Sequence, residues 1–125
     1  MLDKRTCERF KRLVGEYAIL AGLGEWEIEV RCLRSRDMIT PVGESCPRDG
    51  SAAINAFGSR ATIVLNKEQC TRERMPFVAG HEVAHVVAGY LGELAHSRYV
   101  GEEEINREEE VIANRIGRIL NAVRR

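Results

Sequence analysis

The segment GHEVAHVVAG, residues 80–89, carries two histidines four residues apart and a glutamate directly after the first. On a helix, residues i and i+4 lie one above the other, so His81 and His85 would project from the same face. Two imidazole nitrogens at this spacing can share one metal ion, and imidazole suits zinc. Glu82 would lie about 100° further round the helix, where a carboxylate can take a proton from coordinated water.

The surroundings of this motif favour a metal site over two ordinary core histidines. Residues 76–91, PFVAGHEVAHVVAGYL, are apolar on most sides of a helix, which is typical of a helix inside a domain. Burying two imidazoles and a carboxylate without partners is costly, and a metal would give all three a partner. The spacing is that of the H-E-x-x-H motif of metallopeptidases.

A catalytic zinc ion usually has three protein ligands and one water, so a third ligand must come from elsewhere. A third histidine at H-E-x-x-H-x-x-G-x-x-H spacing is absent, because Ala88 and Leu91 stand at the glycine and histidine positions. His96 follows the predicted helix end at Gly92, and we expect it in a loop. The remaining source is an acidic cluster just before the apolar face of the last helix, made of Glu108, Glu109 and Glu110.

HEVAH followed by EVIAN, residues 110–114, resembles the gluzincin branch of the zincin metallopeptidases, most closely the ImmA/IrrE-type peptidases. The resemblance implies Glu110 as the third zinc ligand, with Glu109 as the alternative if the helix phase differs. It implies that Asn114 orients a ligand histidine from outside the metal shell. It also implies a zincin-like fold in a near-minimal form and zinc-dependent hydrolysis of peptide bonds, with Glu82 as the catalytic base.

The same resemblance suggests how a protein or peptide substrate, which could be a regulatory protein, would bind. INAF, residues 54–57, is similar to the N-A-F stretch on the edge strand of thermolysin-like enzymes, where the substrate is held as an added strand. An exposed strand edge is a physical means of binding an extended peptide. A further donor often stabilises the oxyanion of such reactions, and the candidates are Tyr90, His96 and Tyr99.

A different class of function remains open on the sequence alone. The chain could be a non-catalytic binding or regulatory module on a zincin-like fold, with zinc as a structural ion. A structural zinc site closes with a fourth protein ligand, and Cys70 or His96 could supply it. Glu82 favours catalysis, because a structural site has no use for a base.

Composition places the chain among ordinary globular proteins. Its 125 residues predict one domain, residues 1–125, and the 19 basic and 19 acidic residues balance to a formal net charge of +0. A dedicated nucleic-acid binder usually has a basic excess, so we expect no direct nucleic-acid binding. Without a signal peptide or a run of roughly 20 apolar residues, we expect a cytoplasmic protein with no membrane partner. The cysteines, Cys7, Cys32, Cys46 and Cys70, are expected to be free thiols.

Hydrophobic periodicity predicts the N-terminal elements. Residues 3–21 have apolar side chains at three- and four-residue spacing, which predicts an amphipathic helix. Residues 25–33 alternate between apolar and charged side chains, which predicts a half-buried strand. Residues 34–50 form a predicted loop, and two strands, 51–57 and 61–66, follow as a hairpin with a left-handed glycine in the tripeptide GSR.

The C-terminal half is predicted to be helical. The motif helix begins near Pro76, and residues 92–101 form a second loop. A final helix, about 103–123, is predicted to bury one apolar face, made of Val111, Ile112, Ile116, Ile119, Leu120 and Val123. The order of elements predicts one α+β domain with a small, mostly antiparallel, three-stranded sheet and a buried active-site helix.

Overall fold

The computed structural model describes residues 1–38, 48–55, 58–96 and 102–124, except for the side chains of 90–96, 102, 104, 105, 108, 112 and 124. It has the predicted α+β class, with three helices and a three-stranded mixed sheet. Within these residues, no helix is both long enough and apolar enough to span a membrane.

The first helix, α1, spans Lys4–Leu20 and begins where the sequence predicts. The carboxylate of Asp3 caps it by accepting a hydrogen bond from the backbone N–H of Thr6 at 2.8 Å. Beyond the helix, Gly22 adopts a φ of 80°, a conformation that glycine enters without steric cost. One face of α1 packs into the core through Phe10, Leu13, Val14 and Tyr17.

The sheet contains β1 (Glu27–Leu33), β2 (Gly50–Asn55) and β3 (Arg60–Asn66) in the order β1-β3-β2. β3 pairs antiparallel with β2 but parallel with β1, so the prediction of a mostly antiparallel sheet is wrong. β2 follows β1 in the chain but does not pair with it, because β3 lies between them. β3 is central because it buries its inward side chains, Ile63 and Leu65, completely.

The turn between β2 and β3 differs from the predicted glycine turn. Ser59, with a φ of 50°, is the residue in the left-handed region, and Gly58 is not. The side-chain oxygen of Asn55 accepts a hydrogen bond from the Gly58 N–H at 3.2 Å. The side chain of Asn55 thus holds the backbone of Gly58, and Ser59 adopts the left-handed conformation. Residues 56 and 57, the end of the predicted strand, lie outside the described residues.

The central helix, α2, spans Met75–His96 and is longer than predicted. Gly92 does not end it, which is consistent with the modest cost of glycine inside a helix, about 1 kcal/mol. Its core side chains are fully or almost fully buried between α1, the sheet and the last helix: Val78, Ala79, Val83 and Val86. The prediction that the motif helix lies inside the domain is confirmed.

The last helix, α3, spans Glu102–Arg124 and buries only part of the predicted apolar face, with Leu120 buried and Ile116 partly buried against the core. Three predicted core residues are exposed, at 39%, 60% and 63% of their surface: Val111, Ile119 and Val123. The face turned to α2 instead carries small residues, with Ala113 and Gly117 buried and Leu120 beyond them. A Cβ atom at Gly117 would lie 3.2 Å from the Cα of His81. The small residues therefore allow α3 to approach the backbone of α2.

Three cysteines, Cys7, Cys32 and Cys70, are free thiols as expected, and Cys46 lies outside the described residues. Burial raises the pKa of Cys70 to about 11, and its Sγ donates a hydrogen bond to the carbonyl of Thr71 at 3.3 Å. Burial, with the neighbouring thiol of Cys7, raises the pKa of Cys32 to about 12. These thiols are therefore protonated near neutral pH.

Candidate metal centre

Two helices bring the candidate metal ligands together. His81 and His85 project from α2 with their Nε2 atoms 3.1 Å apart. Glu110 on α3 places one carboxylate oxygen 3.2 Å from Nε2 of His81 and the other 3.0 Å from Nε2 of His85. Zinc bonds of roughly 2.0–2.1 Å imply about 3.3 Å between tetrahedral ligand atoms. The three donor groups are therefore spaced almost as a shared zinc ion requires, and nowhere else in the described chain do His, Cys, Asp or Glu form such a group.

His81 is suited to act as a neutral ligand. Burial, followed by the neighbouring ring of His85, lowers the pKa of His81. A neutral imidazole keeps the lone pair that a metal needs. The rings lie edge to face, with centroids 4.6 Å apart. The nitrogens of both rings that face Glu110 are therefore available as donors to the same ion.

The outward nitrogens of the two rings have different environments. Nδ1 of His85 lies 3.3 Å from a carboxylate oxygen of Glu109. Nδ1 of His81 is buried and has no hydrogen-bond partner among the described residues, although the side chain of Asn114 is close enough to raise the pKa of this ring. Glu109 therefore faces the side of His85 opposite to the metal position.

His81 is held by aromatic stacking. The ring of Phe77, one helical turn earlier, stacks on it with centroids 5.7 Å apart and planes inclined by 27°. The guanidinium of Arg74 lies 4.9 Å from the Phe77 ring centroid and forms an ion pair with Asp49. This column runs from the start of β2 to the candidate metal ligand and restricts how the imidazole can rotate.

Glu82 is a buried carboxylate beside the metal position. It is 4% exposed, and one oxygen has no hydrogen-bond partner within the described structure. The other oxygen lies 3.9 Å from Nε2 of His81. Burial, followed by the negative charges of Asp49 and Glu110, raises the pKa of Glu82 to about 8. A carboxyl group with a pKa near the working pH can both accept and release a proton.

An open cleft of about 840 Å³ lies over these residues and is lined by β2, α2 and α3. β2 is an edge strand of the sheet, and its residues 50–52 line the cleft. A Cβ atom at Gly50 would lie 2.7 Å from Val78 and 3.4 Å from the side chain of Glu82. The absence of a side chain at Gly50 therefore lets the strand edge pass directly beside the buried carboxylate.

The sequence identified the central residues of this arrangement. Four of the predicted residues line the cleft: His81, Glu82, His85 and Glu110. Glu109 also lines the cleft, but it is not one of the three residues that could share a metal ion. Cys70, a possible fourth ligand of a structural site, is not part of the group or of the cleft lining. Three proposed oxyanion donors have side chains outside the described residues: Tyr90, His96 and Tyr99.

Sequence reasoning missed three residues that form this centre. Phe77 lies four residues before His81, and this helical spacing puts it on the same face. Asp49 lies in a predicted loop that has no recognisable pattern. Gly117 lies inside a predicted helix, and a glycine in that position often marks close backbone packing. Comparison of the chain with protein families, curated proteins and solved structures finds no match.

Proposed function

We propose that this protein is a zinc-dependent metallopeptidase of the gluzincin type, in which His81, His85 and Glu110 hold the metal. The observation that supports the proposal is the convergence of two Nε2 atoms and one carboxylate, 3.0–3.2 Å apart, next to the buried Glu82. When bound, zinc lowers the pKa of a coordinated water to about 7 and polarises the carbonyl that is attacked.

Glu82 acts as the general base and then as the general acid. Its carboxylate accepts the proton of the attacking water and later donates it to the leaving amine. Burial and the neighbouring charges of Asp49 and Glu110 raise the pKa of Glu82 to about 8, and a bound zinc ion would oppose this increase. The residues around Glu82 therefore tune the base.

The substrate is an extended segment of a protein or peptide. The edge of β2 borders the cleft, and its free N–H and C=O groups can pair with an added strand. Ile54 and Asn55, the part of INAF that the structure describes, belong to this edge strand. A peptide bound along β2 would have its backbone beside Glu82, which is the geometry that hydrolysis needs.

Two variants separate the roles of the residues. Glu82→Gln is expected to keep one equivalent of zinc and to lose at least about 100-fold in peptide turnover, because it removes the base and spares the ligands. Glu110→Ala is expected to lose zinc as well as turnover. Zinc content by elemental analysis and cleavage of a denatured protein substrate measure both, and Glu103→Gln, at an exposed position of α3, is the matched control.

The same measurements distinguish the non-catalytic alternative. A protein that binds zinc through Glu110 but cleaves no substrate, with or without Glu82, would be a zinc-stabilised module. If Glu82→Gln were as active as the parent protein, the assignment of the base would be wrong.

A further inference from the structure

We propose that Glu109 is a positioning residue for the metal centre, acting through His85; this rests on the proposed zinc site. Its carboxylate oxygen lies 3.3 Å from Nδ1 of His85, whereas a Glu110 oxygen lies 3.0 Å from Nε2 of the same ring. Two consecutive glutamates therefore contact the two opposite nitrogens of one imidazole. Glu110 faces the metal position, and Glu109 faces away from it.

With a metal ion on Nε2, the remaining ring proton of His85 would lie on Nδ1. Glu109 can only accept a hydrogen bond when ionised, so its carboxylate would stabilise this arrangement by accepting from Nδ1–H. Nε2 then carries the lone pair that a metal requires. A carboxylate behind a ligand histidine also fixes the ring plane and strengthens the ligand as a donor.

The side chain of Glu109 lies against α2. Its side chain is 24% exposed, whereas that of Glu110 is 52% exposed. A Cβ atom at Gly89 on α2 would lie 3.6 Å from the Glu109 carboxylate and 2.8 Å from Ile54 on β2. The bare backbone at Gly89 thus leaves a recess between α2 and β2, and the carboxylate of Glu109 reaches into it.

The two histidines consequently depend on different contacts. His81 is oriented by the stacked ring of Phe77, and its Nδ1 has no hydrogen-bond partner among the described residues. His85 has no ring other than that of His81 stacked against it within the same residues. Loss of Glu109 would therefore remove the contact that fixes Nδ1 of His85, while the ring of His81 would keep its stacking partner.

Zinc affinity is the direct test, measured on the full chain by competition with a chromophoric chelator. Glu109→Ala is expected to weaken zinc binding about 10- to 100-fold, the usual effect of losing a partner behind a ligand histidine. Glu109→Gln is expected to lose less, because its amide oxygen can still accept the Nδ1 hydrogen bond. Glu103→Ala, on the exposed side of α3, is expected to bind zinc as the parent does.

Two further readouts separate positioning from a merely structural role. The visible spectrum of the cobalt-substituted protein is expected to change in Glu109→Ala and to be restored in Glu109→Gln, because it reports ligand geometry. Imidazole nitrogen chemical shifts of the zinc-loaded protein are expected to show the proton of His85 on Nδ1, and the shift of that nitrogen is expected to change in Glu109→Ala. The thermal stability of metal-free Glu109→Ala shows whether the fold is intact.

Unchanged zinc affinity and an unchanged cobalt spectrum in Glu109→Ala would overturn this proposal. So would complete loss of zinc in Glu109→Ala together with retention in Glu110→Ala, because Glu109 would then be the ligand itself. In both cases the metallopeptidase proposal could still hold. If the parent protein bound no zinc and cleaved no peptide, the metallopeptidase proposal would fail first, and the positioning role would fail with it.

Discussion

Replacement of Glu82 by glutamine is expected to stabilise the metal-free protein at alkaline pH. The buried carboxyl group has a pKa of about 8 in the folded chain, against an ordinary value of 4.5. Between these two values the folded protein retains a proton that the unfolded chain releases. Since the folded state binds more protons there, the stability of the parent protein falls as the pH rises through this window. The glutamine side chain does not ionise, so this loss is absent from the variant.

The magnitude follows from the two pKa values. One unit of pKa difference corresponds to about 1.4 kcal/mol. Integration between pH 5 and pH 8 gives a loss of about 3.5 kcal/mol from Glu82 alone. That is a large part of the stability of a small domain, which is about 5–15 kcal/mol in total. The difference between variant and parent should therefore grow steadily with pH and approach this value near pH 8.

Urea unfolding at several pH values, with the metal removed by a chelator, measures this difference. Glu103→Gln, which replaces an exposed glutamate of α3, should follow the parent curve. Parallel pH profiles for Glu82→Gln and the parent would refute the reasoning, because they would mean that Glu82 is ionised in the folded state as easily as in the unfolded chain. Burial and neighbouring charges would then not raise the pKa of Glu82.

Two further substitutions probe how the centre is built. Gly117→Ala is expected to cost about 1–3 kcal/mol of stability and to weaken zinc binding, because its Cβ would press on the backbone of His81 at 3.2 Å. Urea unfolding measures the stability, and chelator competition measures the zinc affinity. Unchanged values of both would show that α3 shifts to accept the added Cβ. Phe77→Leu keeps an apolar side chain but removes the ring stacked on His81, so we expect a loss of about 0.5–1.5 kcal/mol in zinc binding. Equal affinity in this variant would show that stacking does not orient the imidazole.

Local features of the sequence predicted the helices that carry the histidines and the core. In α1, the three- and four-residue spacing of apolar residues predicts the helix that the structure shows. In the motif segment, the helical period alone places His81 and His85 together. Both inferences need only neighbours in the chain, and for this reason they agree with the structure.

The features that the sequence did not predict depend on contacts between distant segments. β1 pairs in parallel with β3, although β2 lies between them in the sequence. No local pattern specifies this pairing. In α3, hydrophobicity favoured a face with Val111 and Ile119, but close approach to α2 selected the face with Ala113 and Gly117. The sequence limits the third ligand to the acidic cluster that contains Glu110, and only the family resemblance selects Glu110, because its role depends on that helix contact.

The donor atoms of the metal centre come from two helices that touch through glycine backbones, at Gly80 and Gly117. Capture of the ion is then thermodynamically linked to docking of the C-terminal helix, since an undocked α3 removes a ligand. Zinc at a thousand times its dissociation constant would add about 4 kcal/mol to the free energy of unfolding. If the proposed zinc site is correct, loss of the ion would weaken the docking of α3 more than the pairing of the sheet, because Glu110 lies on α3 and no ligand lies on a strand.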